Sequence, residues 1–560
     1  MNRKSKIYPQ IYQEIEDWPI FKMHEDRQGF VDSLNDYTYK ELMKVHGDDL
    51  DNLIARTIYL EQIRIKENPW KVDPASDTIF WKKLKKQFKS NDTGDQIISQ
   101  DILKIIINKY SEEIIGDFKT KTLKFARKFL FSFFNRLLNT AAGRNYHRIW
   151  GTKYRLYERL KVYGEVEKIR ALMKKGTVVI VPTHFSNLDS ILIGYALDAI
   201  IGLPSFSYGA GLNLFDSEIA AYFMNRIGTY RVDRRKKNPI YLETLKNVPN
   251  LAVQRNTNSL FFPGGTRSRT GALETKLKVG FIKSLIMAQR DIVKHDQDNK
   301  VFVVPLVLSY HVVLEASSLI DQHLRRTGEE KYMVLPSESL TISKSLKFAW
   351  RFFSEASDIS LSFGEPMDVM GYLVDEEGRS VDDRGREVNV GDYFKMDGLV
   401  STDSQREYVY SKLLAEKIVE SYFRNNIVLS SQLVAFAAFN IIKKQYPGLD
   451  VFGIIRLPTD DVVIQRAHLL RVIDDLKAIL KNMAIKGKLK INAILLEDAE
   501  IVLKDGMNNL GIYHAKKPLT FNEDNDIISE DFKFLYYYHN RLENYGLASQ
   551  VVWNFQPEKV

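Results

Sequence analysis

Apolar residues recur at spacings of three and four through the first 118 positions. Leu53, Ile54, Ile58, Leu60 and Ile63 show the pattern, as do Ile97, Ile98, Ile102, Leu103, Ile105 and Ile106, and this period predicts helices with one buried face. The polar run at 89–95 (KSNDTGD) predicts the loop between helical segments. At 119–138 (KTKTLKFARKFLFSFFNRLL), cations are interleaved with large apolar residues, which suits either an interfacial helix or one that packs its phenylalanines internally. From about 166 the texture shortens to β-branched runs at 177–181, 259–262, 301–308 and 359–363, separated by helical stretches. That alternation predicts an α/β domain whose mixed, mostly buried sheet is flanked by helices. A tandem, VDEEGRS at 374–380 and VDDRGRE at 381–387, predicts the tight turns of a small β meander, and helical periodicity returns from Ser404. The expected organisation is a helical region (1–118), a basic amphipathic connector (119–165), an α/β domain (166–370), a linker or β insertion (371–403) and a mainly helical region (404–560).

The longest uncharged stretch, 425–442, is interrupted by Ser430, Ser431, Gln432 and Asn440. A membrane span needs about 20 predominantly apolar residues, so this stretch is expected to be a buried helix of a protein without a transmembrane segment. The first 20 residues hold no apolar core of the kind that marks a secretory signal.

Charge sharpens the picture. Of 560 residues, 80 are Lys or Arg and 71 Asp or Glu, a formal +9. Residues 119–175 alone hold 16 Lys and Arg against three Glu, so a +13 block sits in a chain that is otherwise −4. Such a block calls for an anionic partner, and a lipid surface and a nucleic acid are the two classes it suits. No RNP, KH or zinc-finger signature accompanies it, and nucleic acid is not the expected partner. The chain has no cysteine, which excludes disulfides, a thiol nucleophile and Cys-ligated metals. The ten histidines form no HExxH pair, so no metal is expected.

Chemistry concentrates at the ends of the predicted strands. In VVIVPTHFSNLDS (178–190) a strand ends at Pro182, His184 follows in a turn, and Asp189 falls where a helix begins. A carboxylate folding back onto the imidazole fixes its tautomer and makes it a general base near neutral pH. Gly228 precedes Val232, Asp233, Arg234 and Arg235. The turn FFPGGTRSRTG (261–271) offers Gly265, Thr266, Arg267, Ser268 and Arg269, backbone N–H groups and guanidinium forks that suit a phosphate. A fourth strand, VPLVLSY (304–310), contains Pro305 and ends at Tyr310.

These four elements resemble the motif blocks of the glycerolipid acyltransferase superfamily, and most closely its bacterial membrane-associated glycerol-3-phosphate acyltransferases and the dihydroxyacetone-phosphate acyltransferases. His184 and Asp189 match the HxxxxD block, Gly228 with 232–234 the second, 262–271 the third, and Val304, Pro305, Tyr310 and Glu315 the fourth. The resemblance runs from about 120 to 445 and is most specific at 160–370. One departure stands out: the family carries a Glu before the glycine of the third block, and here that position is Gly264.

The resemblance implies acyl transfer from acyl-CoA or acyl-carrier protein to the sn-1 hydroxyl of glycerol 3-phosphate. It implies His184 as base, Asp189 as its orienter, and no permanently bound cofactor. Arg267 is the expected phosphate contact, with Ser268, Arg269, Gly265, Thr266, Lys278, Arg234, Asp233 and Pro305 as further acceptor-site candidates. Turn N–H groups near Gly264–Thr266 or Ser186 are candidate oxyanion donors. The alternatives are acylation of lysophosphatidic acid or dihydroxyacetone phosphate, or a non-catalytic lipid-binding or nucleic-acid-binding protein. A peripheral or monotopic position on the cytoplasmic face of a membrane is expected, with Phe125, Arg127, Lys128, Phe129, Phe133 and Phe134 as the contacts to anionic lipid.

Overall fold

The computed structural model describes residues 6–70, 73–90, 96–129, 160–215, 218–327, 359–511, 514 and 516–553. Its centre is a seven-stranded sheet of β1 (Leu160–Tyr163), β2 (Thr177–Pro182), β3 (Ser207–Gly211), β4 (Thr229–Val232), β5 (Ser259–Leu260), β6 (Val301–Ser309) and β7 (Ile359–Phe363), in the order β1-β7-β6-β2-β5-β3-β4. β6, β2, β5, β3 and β4 run parallel; β7 is antiparallel to β6, and β1 runs parallel to β7. Every residue of β2 and β6 is buried, which is why both read as continuous apolar runs rather than as an alternation. Pro305 sits within β6 opposite Val181, and its carbonyl accepts the Gly364 N–H at 2.8 Å. It is part of the sheet under the site.

Helices from both flanking regions cover this sheet. Pro239–Gln254 packs on Val279–Lys294, and Ser404–Asn425 lies against the latter. The N-terminal helices Arg27–His46, Leu50–Glu67 and Gln96–Ile114 form a second apolar core that takes in Ile240, Tyr241, Leu245 and Val248 of the Pro239–Gln254 helix. Among the described residues the C-terminal region has no core of its own. Its helices Ser430–Gln445, Arg466–Ile485, Ala499–Asn509 and Phe532–Glu543 join the same contiguous apolar cluster as the sheet.

The uncharged stretch forms the Ser430–Gln445 helix, buried at every position from 430 to 442. Its polar residues find partners: Ser431 Oγ lies 2.9 Å from His311 Nδ1, and Asn440 donates to the Phe436 carbonyl at 3.0 Å. Satisfied polar groups let such a helix sit in a protein core. Among the described residues no helix is long and apolar enough to cross a membrane. The tandem at 374–387 is a three-stranded antiparallel meander of Leu373–Val374, Ser380–Val381 and Glu387–Val388. Asp375 caps the Arg379 N–H and Asp382 the Arg386 N–H, so one turn is built twice.

Of the basic connector, 120–129 is helical. Arg127 is tied inward, bonding Asp198 through Nε and Nη2 at 2.7 and 2.8 Å and lying over the Trp18 ring. Phe125 and Phe129 are exposed, and Phe125 stacks on both Phe129 and Phe223. Lys128 is also exposed. Phe133 and Phe134 lie outside the described residues.

Candidate active site

The carboxyl ends of β2, β4, β5 and β6 all lie on one edge of the parallel part of the sheet. In open α/β sheets this edge is where ligands bind. β2 delivers His184, and the Asp189–Tyr195 helix opens five residues later. Asp189 is fully buried. Its Oδ2 accepts the backbone N–H groups of Phe185 (2.7 Å) and Ser186 (2.9 Å) and lies 2.8 Å from His184 Nδ1. Its Oδ1 accepts the Tyr310 hydroxyl at 2.6 Å, from the end of β6. An ionised carboxylate only accepts, so His184 Nδ1 carries the proton and Nε2 keeps its lone pair. The imidazole is one-sixth exposed and stacks on Phe262, with ring centroids 4.1 Å apart.

The turn's own N–H groups are engaged internally. Asn187 N–H donates to Glu315 Oε1 at 2.9 Å, and Ser186 Oγ donates to Glu315 Oε2 at 2.9 Å. Together with the bonds to Asp189, this commits the N–H groups of the Ser186 segment to holding the turn. In the facing turn, Gly264 and Thr266 have backbone N–H groups that make no hydrogen bond among the described residues.

The second turn follows β5. Gly265 has φ +74°, a conformation that favours glycine, and Lys278 crosses so closely that a Cβ at 265 would meet its Cδ at 2.6 Å. Lys278 also donates its N–H to the Pro263 carbonyl, placing its side chain over the turn. Ser268 joins the two turns: its N–H donates to the His184 carbonyl at 2.8 Å, and its hydroxyl donates to the Ala272 carbonyl at 2.8 Å. Arg267 Nη1 lies 3.3 Å from Glu315 Oε1, so one buried carboxylate holds both the His184 turn and the arginine.

Among the described residues neither Arg234 nor Arg269 forms an ion pair with a carboxylate. Desolvation lowers the guanidinium of Arg234 from its ordinary range, and the neighbouring Arg267 lowers it further. Arg269 is lowered in the same way, by desolvation first and then by Arg326, Arg234 and Arg267. A cluster of cations that destabilise one another is stabilised by an anion. Asp233 belongs elsewhere. It is buried and paired with Arg235 at 2.7 Å, beside Asp73 of the N-terminal region. Among the described residues no group of three or more His, Asp or Glu is arranged to hold a metal.

Further residues brought to the site have no local sequence signal. Glu274 Oε1 accepts the His184 N–H at 3.1 Å, and burial pushes this carboxyl up to about 7. Arg541, from the Phe532–Glu543 helix, is buried with its guanidinium 4.3 Å from the Phe185 ring centroid. It donates to the Leu308 carbonyl at 2.7 Å and to Asn426 Oδ1 at 2.9 Å. Burial pushes it down to about 10, against the pull of Tyr545, Glu274, Tyr537 and Tyr310. The same helix meets the arginine turn, where Gly271 (φ +82°) comes so near the Tyr537 carbonyl that a Cβ would stand 2.2 Å away. The site therefore offers an oriented imidazole base beside a cationic, N–H-bearing turn.

Residues 160–309, from the start of β1 to the end of β6, match the Acyltransferase family model. The chain is also similar to three bacterial proteins named glycerol-3-phosphate acyltransferase. That of Aeromonas hydrophila is 28% identical over 266 residues, 47% of this chain and 28% of the relative. That of Pseudomonas paraeruginosa is 24% identical over 294 residues, 52% of this chain and 31% of the relative. The Pseudomonas putida protein is 25% identical over 266 residues, 47% and 28% of the two chains. The matched stretch thus spans less than a third of each relative's length.

Proposed function

We propose, starting from an acyltransferase-family domain at 160–309, that the chain transfers a fatty acyl group from a thioester to a hydroxyl of glycerol 3-phosphate. The observation that carries this reading is the His184–Asp189 pair, oriented at a strand end beside Arg234, Arg267 and Arg269, which gather from two strand ends. His184 Nε2 takes the proton of the acceptor hydroxyl as its oxygen attacks the thioester carbonyl. An ester C–O bond forms, the C–S bond breaks, and the leaving thiolate takes the proton back from the imidazolium. Asp189 holds the ring and stabilises its charged form, and Tyr310 fixes Asp189 from behind. The N–H groups of Gly264 and Thr266, which make no hydrogen bond among the described residues, suit the oxyanion of the tetrahedral intermediate. Arg267, with Arg234 and Arg269, suits the acceptor phosphate.

The donor is an acyl-CoA or acyl-carrier protein, and the acyl chain and its lipid product call for a site beside a lipid surface. For that surface, exposed Phe125 and Phe129 beside Lys121, Lys124 and Lys128 support a peripheral contact, and the cytoplasmic face is proposed for it. Lysophosphatidic acid and dihydroxyacetone phosphate share the phosphate that the arginines suit, and they are the competing acceptors. The deciding experiment supplies purified protein with acyl-CoA or acyl-carrier protein and one acceptor at a time, and measures thiol release and ester formation. Glycerol 3-phosphate is expected to give the highest kcat/KM. Thiol release independent of any acceptor removes the transferase reading, and a preference for lysophosphatidic acid reassigns the acceptor.

A further inference from the structure

Gly264 is puzzling by itself. Its backbone does not lie in the left-handed region, so unlike Gly265 it is not required there by conformation. What a side chain there would meet is Glu274. A Cβ at 264 would stand 3.1 Å from Glu274 Oε1 and 3.2 Å from Glu274 Cγ, closer than ordinary van der Waals contact. The family resemblance puts a carboxylate at this position of the third block. Here the volume beside residue 264 is filled by a carboxylate that comes from ten residues farther along the chain.

That carboxylate holds the base turn directly. Its Oε1 accepts the backbone N–H of His184, while its Oε2 is shielded from solvent and has no hydrogen-bond partner among the described residues. We infer that Glu274 is a positioning residue for His184, and that Gly264 and Glu274 are two halves of one relocated feature, the glycine leaving the room that the glutamate fills. The His184 turn is then gripped from three sides: Asp189 through the ring and two N–H groups, Glu315 through Ser186 and Asn187, and Glu274 through the N–H of His184 itself. This rests on the acyl-transfer reading only for its kinetic consequence.

The test is a carboxylate swap, with Glu274→Ala, Glu274→Gln, Gly264→Glu and the double variant Gly264→Glu/Glu274→Ala compared with the unaltered protein. Glu274→Ala is expected to lower kcat about tenfold or more with acceptor KM within about twofold, since it displaces the base without touching the phosphate site. Glu274→Gln keeps an oxygen acceptor and is expected to stay within about threefold of the unaltered kcat. Gly264→Glu alone crowds two carboxylates and loses about tenfold or more. The double variant regains most of the loss, a strong positive coupling in the cycle.

Amide hydrogen exchange over 183–188, measured without substrates, reads the turn independently of activity. It should quicken in Glu274→Ala and slow again in the double variant. A Glu274→Ala protein with unchanged kcat and exchange overturns the inference, and so does a double variant no better than the worse single one. If Glu274→Ala does not fold, Glu274→Gln and the double variant still decide. An exchange pattern as expected in a protein that transfers no acyl group separates failure of the functional reading from failure of this one.

Discussion

Arg234 and Arg235 are neighbours in sequence at the end of β4, yet they do opposite work. Arg235 bonds Asp73 and Asp233 with its Nη2, and its Nη1 donates to the Asn68 carbonyl at 2.8 Å. Burial lowers its guanidinium, but those carboxylates more than offset this and hold it above its usual range. Lys236 likewise pairs with Glu113, which also holds Lys109. This set fastens the N-terminal helices to the sheet. Arg234 lies with Arg267 and Arg269, where desolvation and mutual repulsion lower two of the three. Paired charge builds the fold here, and under-compensated charge is what a phosphate can use.

The base itself should show the largest effect. His184→Ala, with folding verified by circular dichroism, should lower kcat by about 10²–10⁴-fold, the usual worth of a general base. Full retained activity removes His184 from that role. Next comes the contrast between the two arginine sets. Arg267→Ala should raise the acceptor KM about 10–100-fold through loss of charge-assisted bonds, with little change in donor KM and a smaller loss of stability than Arg235→Ala, since Glu315 keeps its bonds to Ser186 and Asn187. Arg235→Ala should do the reverse, lowering stability by about 2–4 kcal/mol in calorimetry because Asp73 and Asp233 lose their partner, with acceptor KM nearly unchanged. If both variants shift KM alone, the division between structural and substrate-facing arginines is wrong.

A pH series sharpens the comparison at Glu274. Burial raises this carboxyl to about 7 from 4.5, so its protonated form is favoured by folding. The associated stability is complete below about 4.5 and is lost as pH rises through about 7. Relative to the unaltered protein, Glu274→Gln should therefore gain up to about 3 kcal/mol between those two limits and stay level above them, as read by denaturant titration. A pH-independent difference excludes the buried titration. The smallest effect belongs to the surface. Lys124→Glu with Lys128→Glu should weaken sedimentation with anionic vesicles, each residue contributing about 1 kcal/mol, with less loss at high salt. Binding to vesicles unchanged by charge reversal or by salt removes the electrostatic docking reading.

Much of this architecture is legible along the chain because it is local. β2 and β6 are uninterrupted apolar runs, and their ends are marked by Pro182 and by Ser309 with Tyr310, so His184 falls in a turn by simple punctuation. The Asp189 contact is legible for the same reason, since five residues suffice for a strand-to-helix turn to fold back. What supports the pair is not local. Tyr310 lies 121 residues from Asp189, and Glu315 lies 129 from Ser186. Glu274 lies 90 from His184, in a loop whose sequence marks nothing. Arg541 comes from a region whose periodicity announces only helices, and no spacing rule links it to Leu308. Asp233 illustrates the opposite hazard. It stands inside the second block beside Arg234, yet its carboxylate pairs with Arg235.

The seat of Arg541 beneath Phe185 and Leu308 has a consequence for how the protein is made. Translation delivers the His184 turn 357 residues before Arg541, at about 5–20 residues per second a lag of roughly 20–70 s. During that interval a nascent chain holds the His184 turn and the arginine turn, but not the helix that packs against both. The two turns therefore take their final support late in synthesis, when the Phe532–Glu543 helix docks.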